Sequence, residues 1–467
     1  MVYSQIVKNI MFPIYQFNHP FYERYTTYIN LLEKTQWWDY QKLEELQLKN
    51  LKNLLQHAND NVPYYHRIFK KLNFKPEFVR SIRDLNVLPI LTKDLIKKNF
   101  NELYARNYRE KQFFISSTGG STSAPLKFYI DNRWEACNMA AAYRSSTWAG
   151  YKLGDKMAYL WSAPQDIHDT AAIEKIRQNL LKIIYLDAFN LTEENMHKYI
   201  DTLKRFKPKI INTYASAIFT FSAYIKKMGV NTIKPKAILT TADMLYNYKR
   251  KAIENTFNCE VFDYYSGRET TLQAAECQEH FGYHLSIENA VVEFMKEKEH
   301  VNSGETGSII ITDLCNYAMP FIRYEIGDLG TPSNERCPCG RQLPVMKSLK
   351  GRTCDYIITS DGKLLPGIFF HHLIAHDNIQ GIKEFQIVQK TKDKIIVYIV
   401  KEEDEKKENI SLFLSQIKRN VGETIDVELI YVDSLRKTST GKLKNVISKI
   451  NPLDIVSDKY DFDNERF

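Results

Sequence analysis

Ser116-Ser117-Thr118-Gly119-Gly120-Ser121-Thr122-Ser123-Ala124-Pro125-Leu126-Lys127 is the most informative run of this sequence. Six hydroxyl side chains and two adjacent glycines share it, between the apolar Phe113-Phe114-Ile115 and the strand-like Lys127-Phe128-Tyr129-Ile130. Glycine lets a backbone approach an anion closely, and successive N–H and O–H donors can converge on it. A turn of this kind between two strands suits a polyphosphate. The same composition also suits an exposed hairpin or a flexible linker, and the stretch alone does not choose between them.

The surrounding chain narrows the choice. At 467 residues it exceeds one small domain, and its 44% hydrophobic and 26% charged content is that of a globular protein. The net charge of +8 is spread along the chain with no basic block, so nucleic acid is not an expected partner. Residues 1–110 read as helical, with Leu43, Leu46, Leu48, Leu51, Leu54 and Leu55 at helical spacing up to a turn cluster at Asn59–Pro63. Thr92 is placed to cap a helix from Lys93. From 113 to 352 short buried strands (Met157–Trp161, Lys182–Tyr185, Ile210–Tyr214, Ala237–Thr240) alternate with helices (Ile173–Leu181, Thr192–Phe206, Leu245–Phe257), which predicts an α/β core. Residues 353–467 read as a separate ββαβ module. Met1–Phe17 lacks a basic start and a long apolar run, so neither a signal peptide nor a spanning helix is expected; an interfacial amphipathic helix is the alternative there. An odd count of seven cysteines without such a signal points to reduced thiols and a cytoplasmic location.

Four further stretches carry chemistry. In Tyr264-Tyr265-Ser266-Gly267-Arg268-Glu269 an aromatic face can stack on a purine and the Glu269 carboxylate can hold Mg²⁺ on a triphosphate. The plainer alternative is a core tyrosine pair beside a solvated glutamate. Within Met319–Gly330, Asp328 sits in a glycine-flanked turn where it can accept both hydroxyls of a ribose, and Arg352 of Gly351-Arg352 can grip ribose or phosphate oxygens. A turn aspartate and a surface arginine are the alternatives. Arg436–Lys444 places Lys442 just past Gly441 in a polar loop, able to reach an α-phosphate, or else simply a basic surface loop. No Gly-x-x-x-x-Gly-Lys-[Ser/Thr] occurs, so an ordinary P-loop NTPase is not expected.

Taken in this order, the Ser/Thr/Gly loop, Tyr-x-x-x-Glu, Tyr-x-x-Gly-Asp, Gly-Arg and Thr-Ser-Thr-Gly-Lys resemble the adenylate-forming superfamily of acyl-CoA synthetases, luciferases and peptide-synthetase adenylation domains. His57–Tyr65, Ala274-Ala275-Glu276-Cys277 and Cys337-Pro338-Cys339-Gly340 narrow the resemblance to phenylacetate–CoA ligase and its capsule-biosynthesis relatives. The implied fold is a large multi-sheet α/β N-terminal body, 1–352, with a small α+β C-terminal lid, 353–467. The implied activity is an AMP-forming ligase that uses ATP and Mg²⁺ to turn a small, compact or aromatic carboxylic acid into its acyl-AMP, with coenzyme A as the acceptor. An amine, a hydroxyl or a carrier protein is the alternative acceptor, and a non-catalytic nucleotide-binding scaffold is the alternative of another class. A homodimer is compatible with the resemblance.

The resemblance also implies roles. Thr118, Gly119, Gly120, Ser121, Thr122 and Ser123 would form the phosphate loop; Thr241, Ala242 and Asp243 would line the adenine and acyl sites with Tyr264, Tyr265 and Ser266. Glu269 would bind Mg²⁺, Asp328 the ribose with Arg352 assisting, and Lys442 would drive adenylation. Trp161, Ser162, Tyr214, Ala215 and Ser216 are the expected acid pocket. Three positions depart from the pattern: Ser123 stands for a glycine, Asp243 for the commoner Glu, and Cys354, beside Asp355, for the usual hinge Asp. Separately, Cys277, His284, Cys337 and Cys339 form a Cys₃His set suited to structural Zn²⁺, with His280 a rival ligand and a reduced turn pair beside a core histidine the alternative.

Overall fold

The structure, a computed structural model, describes residues 20–109, 113–117, 126–161, 181–188, 191–352, 356–360, 364–366, 370, 381–401, 407–435 and 446–450. The N-terminal helices are α1 (Pro20–Thr35), α2 (Tyr40–Asn61), α3 (Pro63–Leu72) and α4 (Lys93–Lys98). The turn expected at Asn59–Pro63 is tighter than its composition suggests. Helix α2 runs through Asn61, Val62 serves both helices as a cap, and Pro63 opens α3, where its missing N–H costs nothing. Thr92 caps α4, accepting the Leu95 N–H at 3.3 Å. The leucine stripe of α2 packs into a core shared with Tyr65, Phe128, Phe321 and Tyr324.

Strands β1 (Phe113–Ser117) and β2 (Lys127–Asp131) pair as an antiparallel hairpin, with Ser117 opposite Lys127. Helix α5 (Asn132–Trp148) follows, its first turn capped where the Asp131 carboxylate accepts the Trp134 N–H. Then come β3 (Met157–Trp161), β4 (Ile183–Asp187), α6 (Glu193–Phe206), β5 (Ile210–Tyr214), α7 (Ala215–Lys227), β6 (Ala237–Thr241), α8 (Asn247–Phe257) and β7 (Glu260–Ser266). Strands β4-β3-β5-β6-β7 are parallel in that order. Every residue of β5 and β6 is buried, as strands covered on both faces require. Ile211, Ile238 and Val261 face α6 to α8, whereas Met157, Leu239 and Phe262 face the α5 side. Lys182, expected in β4, has φ +54 and precedes the strand; a left-handed residue cannot continue a ladder.

The same sheet continues antiparallel through β8 (Gln273–Glu276), β9 (Tyr283–Leu285), β10 (Ala290–Lys296), β11 (Glu299–His300), β12 (Gly307–Asp313), β13 (Tyr324–Ser333) and β14 (Val345–Arg352), giving twelve strands. Beyond it, β15 (Tyr356–Ile358) pairs with β16 (Leu364–Pro366). Strands β17 (Ile382–Thr391) and β18 (Lys394–Lys401), helix α9 (Lys407–Val421), β19 (Asp426–Tyr431) and β20 (Val446–Ser448) complete the chain, in sheet order β19-β18-β17-β20. The ββαβ reading therefore lacked one strand. Three-residue β20, parallel to β17, is too short to carry a period of its own. A separate core from Ile357 to Val446 holds this part together. No helix among the described residues is long and apolar enough to cross a membrane.

Candidate active site

The parallel strands end at one edge of the sheet, where open α/β sheets carry their ligands. Trp161 closes β3, Tyr214 closes β5 and Thr241 closes β6, with Tyr214 opposite Thr241 in register. The Trp161 and Tyr214 rings lie 4.4 Å apart, and Ala215 opens α7 directly behind them. Ala242 turns the chain with φ +71, a conformation that costs a non-glycine residue on the order of 1 kcal/mol or more. The turn presents Asp243, and the Lys249 ammonium of α8 sits 3.9 Å from its carboxylate. Burial pushes the Lys249 pKa down, and Asp243 opposes that shift.

Neighbouring residues of β7 point to opposite faces, so Tyr264 and Tyr265 do different work. Tyr264 donates to Asn212 Oδ1 at 3.1 Å and also meets the Thr241 hydroxyl. Tyr265 donates to Asp328 Oδ2 at 2.8 Å. Asp328 follows Gly327, whose φ of +92 favours glycine, and lies opposite Arg352 in the β13–β14 register. The loop after β7 returns Glu269 to the same strand: Tyr324 of β13 donates to Glu269 Oε1 at 2.9 Å. Oε2 of Glu269 accepts no hydrogen bond among the described residues, and Glu269 is buried. At Gly267 the packing is close: a Cβ there would stand 2.9 Å from the tip of the Ile326 side chain, Cδ1.

Of the residues named from the sequence, the structure bonds Tyr265 to Asp328 and holds Glu269 against Tyr324. Sequence reasoning missed Tyr324, although the residue lies inside a stretch singled out for its aspartate. It also missed Lys249, whose burial no periodicity announces. Thr118, Gly119, Gly120, Ser121, Thr122, Ser123, Ser162, Cys354, Asp355 and Lys442 lie outside the described residues, as do residues 1–19 and all but the last residue of the helix expected at Ile173–Leu181. Arg352 and Ser216 are described by their backbone alone, and Ser266 ends β7.

A second cluster lies where β8, β9 and the loop before β14 meet. Ligand atoms of Cys277, His284, Cys337 and Cys339 all fall within 4.8 Å of one another. Cys277 Sγ is 3.6 Å from Cys337 Sγ, and Cys339 Sγ is 3.4 Å from His284 Nε2. Two thiolates at about 2.3 Å from one tetrahedral zinc would stand about 3.8 Å apart, so the spacing fits. Burial holds the His284 pKa down to about 4, which keeps the imidazole neutral, the form a metal needs. The Arg341 N–H donates to Cys339 Sγ, and Gly340 at φ +83 closes the turn. His280, the rival ligand, is not part of this cluster; its Nδ1 lies 3.1 Å from Glu276 Oε2.

Residues 357–449 match the CapK C-terminal domain family. The chain is 26% identical to Protein CapK of Staphylococcus aureus over 413 residues, 87% of this chain and 90% of that one. It is 23% identical to the phenylacetate-coenzyme A ligase of Thermus thermophilus, over 87% of this chain and 96% of the relative. Its fold is similar to that of 2-hydroxyisobutyryl-CoA ligase in the postadenylation state, with a TM-score of 0.65, 18% identity, and 88% and 90% of the two chains covered. Along most of its length the chain is thus similar to CapK and to phenylacetate-coenzyme A ligase, and it shares the fold of 2-hydroxyisobutyryl-CoA ligase.

Proposed function

We propose that the protein activates a small carboxylic acid with ATP and passes the acyl group to coenzyme A. One carboxylate oxygen of the acid attacks the α-phosphorus, the bond to pyrophosphate breaks, and an acyl-AMP forms. The thiol of coenzyme A then adds to the acyl carbon, loses its proton, and AMP departs. The observation that carries this reading is the reciprocal pair Tyr265–Asp328 and Tyr324–Glu269, which fixes two buried carboxylates, one on β13 and one just after β7. Asp328, aimed by Tyr265, suits the ribose hydroxyls. Glu269, held through Oε1, keeps Oε2 for a magnesium ion, which neutralises charge on the triphosphate when bound. Thr118, Gly119, Gly120, Ser121, Thr122 and Ser123 would wrap the phosphates and Lys442 would meet charge building at the α-phosphate; both assignments rest on the sequence. Trp161, Tyr214 and Ala215 would border the acid, Arg352 the ribose, and Cys354 and Asp355 the hinge of a lid spanning 353–467.

The Cys277, His284, Cys337 and Cys339 set fits a structural Zn²⁺, which would tie β8 and β9 to the loop before β14. A carboxylic-acid screen read by pyrophosphate release, with and without coenzyme A, tests the main reading. Acid-dependent release that yields a thioester supports it. The absence of release with every acid would favour a nucleotide-binding scaffold. In the alternative reading the acyl-AMP goes to an amine, a hydroxyl or a carrier protein. Adenylate that forms but never yields a thioester would point there.

A further inference from the structure

Single exposed apolar side chains are ordinary on a protein surface. Between α3 and α4 they gather. Leu72 ends α3, Phe78 ends the 3₁₀ turn Pro76–Phe78 and Val87 ends the 3₁₀ turn Ile82–Val87; they are 42%, 66% and 61% exposed. Phe69 is the buried anchor beneath them. Its ring lies 4.8 Å from that of Phe74, and with Leu88 it lines one narrow crevice. Leu72 follows Phe69 by about one helical turn and Val87 directly precedes Leu88, so both emerge beside that anchor. Phe78 emerges beside Val79, which is buried in the same core as Phe69. The backbone that presents them is fixed: Arg323 donates to the carbonyls of Leu85 and Leu88, and Leu91 bridges to Tyr324 of β13.

The same segment is basic. Lys70, Lys71, Lys75, Arg80 and Arg83 are exposed there, against Glu77 and Asp84. The Asp84 carboxylate is turned to the backbone, accepting the N–H groups of Arg80 at 2.6 Å and Ser81 at 2.9 Å. The ion pair of this region joins Arg67 to Glu102, and none of the cations just named forms one among the described residues. The Lys75 ammonium lies 5.6 Å from the centre of the Phe78 ring, so charge and apolar surface are presented together. A protein partner would anchor a side chain in a recess of this face. The crevice beside Phe69 holds about 10 Å³, room for no more than one water. A fluid lipid surface needs no recess. It takes protruding apolar side chains between its headgroups, while lysine and arginine meet the anionic groups there. The net charge of +8 acts in the same direction.

We propose that the face running from the end of α3 to Val87 docks the protein peripherally on an anionic lipid bilayer. Phe78, Leu72 and Val87 enter the headgroup layer, and the lysines and arginines around them hold its negative charge.

The test sediments the full chain with vesicles of phosphatidylglycerol and phosphatidylcholine in equal parts, and with phosphatidylcholine alone, at low and high salt. The expected result is binding to the anionic vesicles that weakens with salt and exceeds binding to phosphatidylcholine by about tenfold or more. Each lysine or arginine near such a surface contributes about fivefold in affinity, so Lys71→Glu with Arg83→Glu should weaken binding by about 25-fold or more. Phe78→Ser with Val87→Ser leaves the charge unchanged and should weaken it by about tenfold. Lys204→Glu with Lys226→Glu, at exposed positions of α6 and α7, makes the same change in net charge away from this face. That variant should bind within about twofold of the native chain, because charges beyond the screening length contribute little. Equal loss in both charge-reversed pairs would mean attraction to net charge alone and would overturn the proposal. So would native binding by both variants of the face, or no binding to anionic vesicles at all. If vesicles fail but polyglutamate binds and Lys71→Glu with Arg83→Glu abolishes it, the face docks an acidic protein and the lipid assignment falls.

Discussion

Tyr265 of β7 donates its phenolic hydrogen to Oδ2 of Asp328 on β13 across 2.8 Å, and both residues are buried. The bond spans two strands that are not neighbours in the sheet, so it fixes the direction of the aspartate before any nucleotide arrives. Removing the hydroxyl with Tyr265→Phe should cost orientation but not charge. The expected outcome is a rise of about fivefold to tenfold in the KM for ATP with kcat within about threefold, because a hydrogen bond to a charged group contributes about 1.5 kcal/mol or more. Asp328→Ala should lose about 100-fold in kcat/KM. Steady-state pyrophosphate release measures both, and an unchanged KM in both variants would remove Asp328 from the ribose.

Tyr324 and Glu269 form the converse pair, with the tyrosine on β13 and the carboxylate after β7. Tyr324→Phe leaves the Glu269 charge in place and frees its orientation. The magnesium concentration needed for half-maximal rate should rise several-fold, whereas Glu269→Gln should lower kcat by about 100-fold. A magnesium titration at saturating ATP separates the two effects. Equal magnesium dependence in all three proteins would exclude the assigned role.

Lys442→Ala should lower adenylate formation by a factor of 100 to 1,000, of order the loss on deleting one donor to a developing anion. ATP binding, followed by calorimetry, should stay within about threefold, since the lysine acts on charge that develops only during transfer. Full activity in the variant would show that the residue does not meet the α-phosphate.

The metal reading has its own readout. Purified protein should hold about one zinc per chain, and Cys337→Ser should lose it and lower the Tm by several degrees. Elemental analysis beside a thermal melt checks this. Protein that is metal-free and equally stable after chelation would assign the four residues to a reduced cluster.

How much of this was legible beforehand depended on whether a property is local. The strand ends Trp161, Tyr214 and Thr241 could be read because short apolar runs alternate with helical ones, and a parallel sheet aligns such ends without further information. Glu269 was legible as a carboxylate following the β7 tyrosines and Asp328 as one flanked by glycines, but the turn expected at Asp328 is absent: the residue lies within β13 and pairs with Arg352. The contacts of these carboxylates with Tyr265 and Tyr324 were not legible, because they join residues 63 and 55 positions apart: Tyr265 was expected at the adenine site, and Tyr324 had no assigned role. Cys277, His284, Cys337 and Cys339 were found by residue type, but only the fold separates them from His280, which lies outside their cluster. The alignment of Tyr185, Tyr159, Asn212 and Leu239 across β4, β3, β5 and β6 is a property of register, which no single strand carries.

Two buried ion pairs bear on stability. Arg144 of α5 meets Glu288 at 2.7 Å, with Thr35 of α1 donating to the same carboxylate at 2.6 Å. Arg323 meets Glu293 at 3.0 Å and donates to the carbonyls of Leu85 and Leu88. Removing one partner strands the other charge, so Arg144→Ala should cost about 3–5 kcal/mol. The double variant Arg144→Met with Glu288→Leu should regain most of that, because no charge is left unpaired. Urea unfolding of the three proteins decides the matter, and a double variant no more stable than the single would mean that the pair is held by its other contacts.

Asp263 of β7 supplies the pH dependence. Its carboxyl is pushed up to about 7, first by burial and next by the neighbouring Glu276 carboxylate, against hydrogen bonds from Thr240 and Tyr283 and the charge of Arg250. An unfolded aspartate titrates near pH 4. Below about pH 4 the group is protonated in both states and has no effect on the balance. Between there and pH 7 the unfolded chain releases the proton while the folded chain keeps it, so the folded state binds more protons and loses stability as pH rises. Asp313, raised to about 6 chiefly by burial, acts in the same direction over a narrower window. Chemical denaturation at several values from pH 4 to pH 8 should therefore show a falling contribution that levels off above about 7. Asp263→Asn keeps the shape, removes the titration and should flatten that slope. A variant whose profile runs parallel to the native one would mean that Asp263 is already ionised in the folded protein throughout this range.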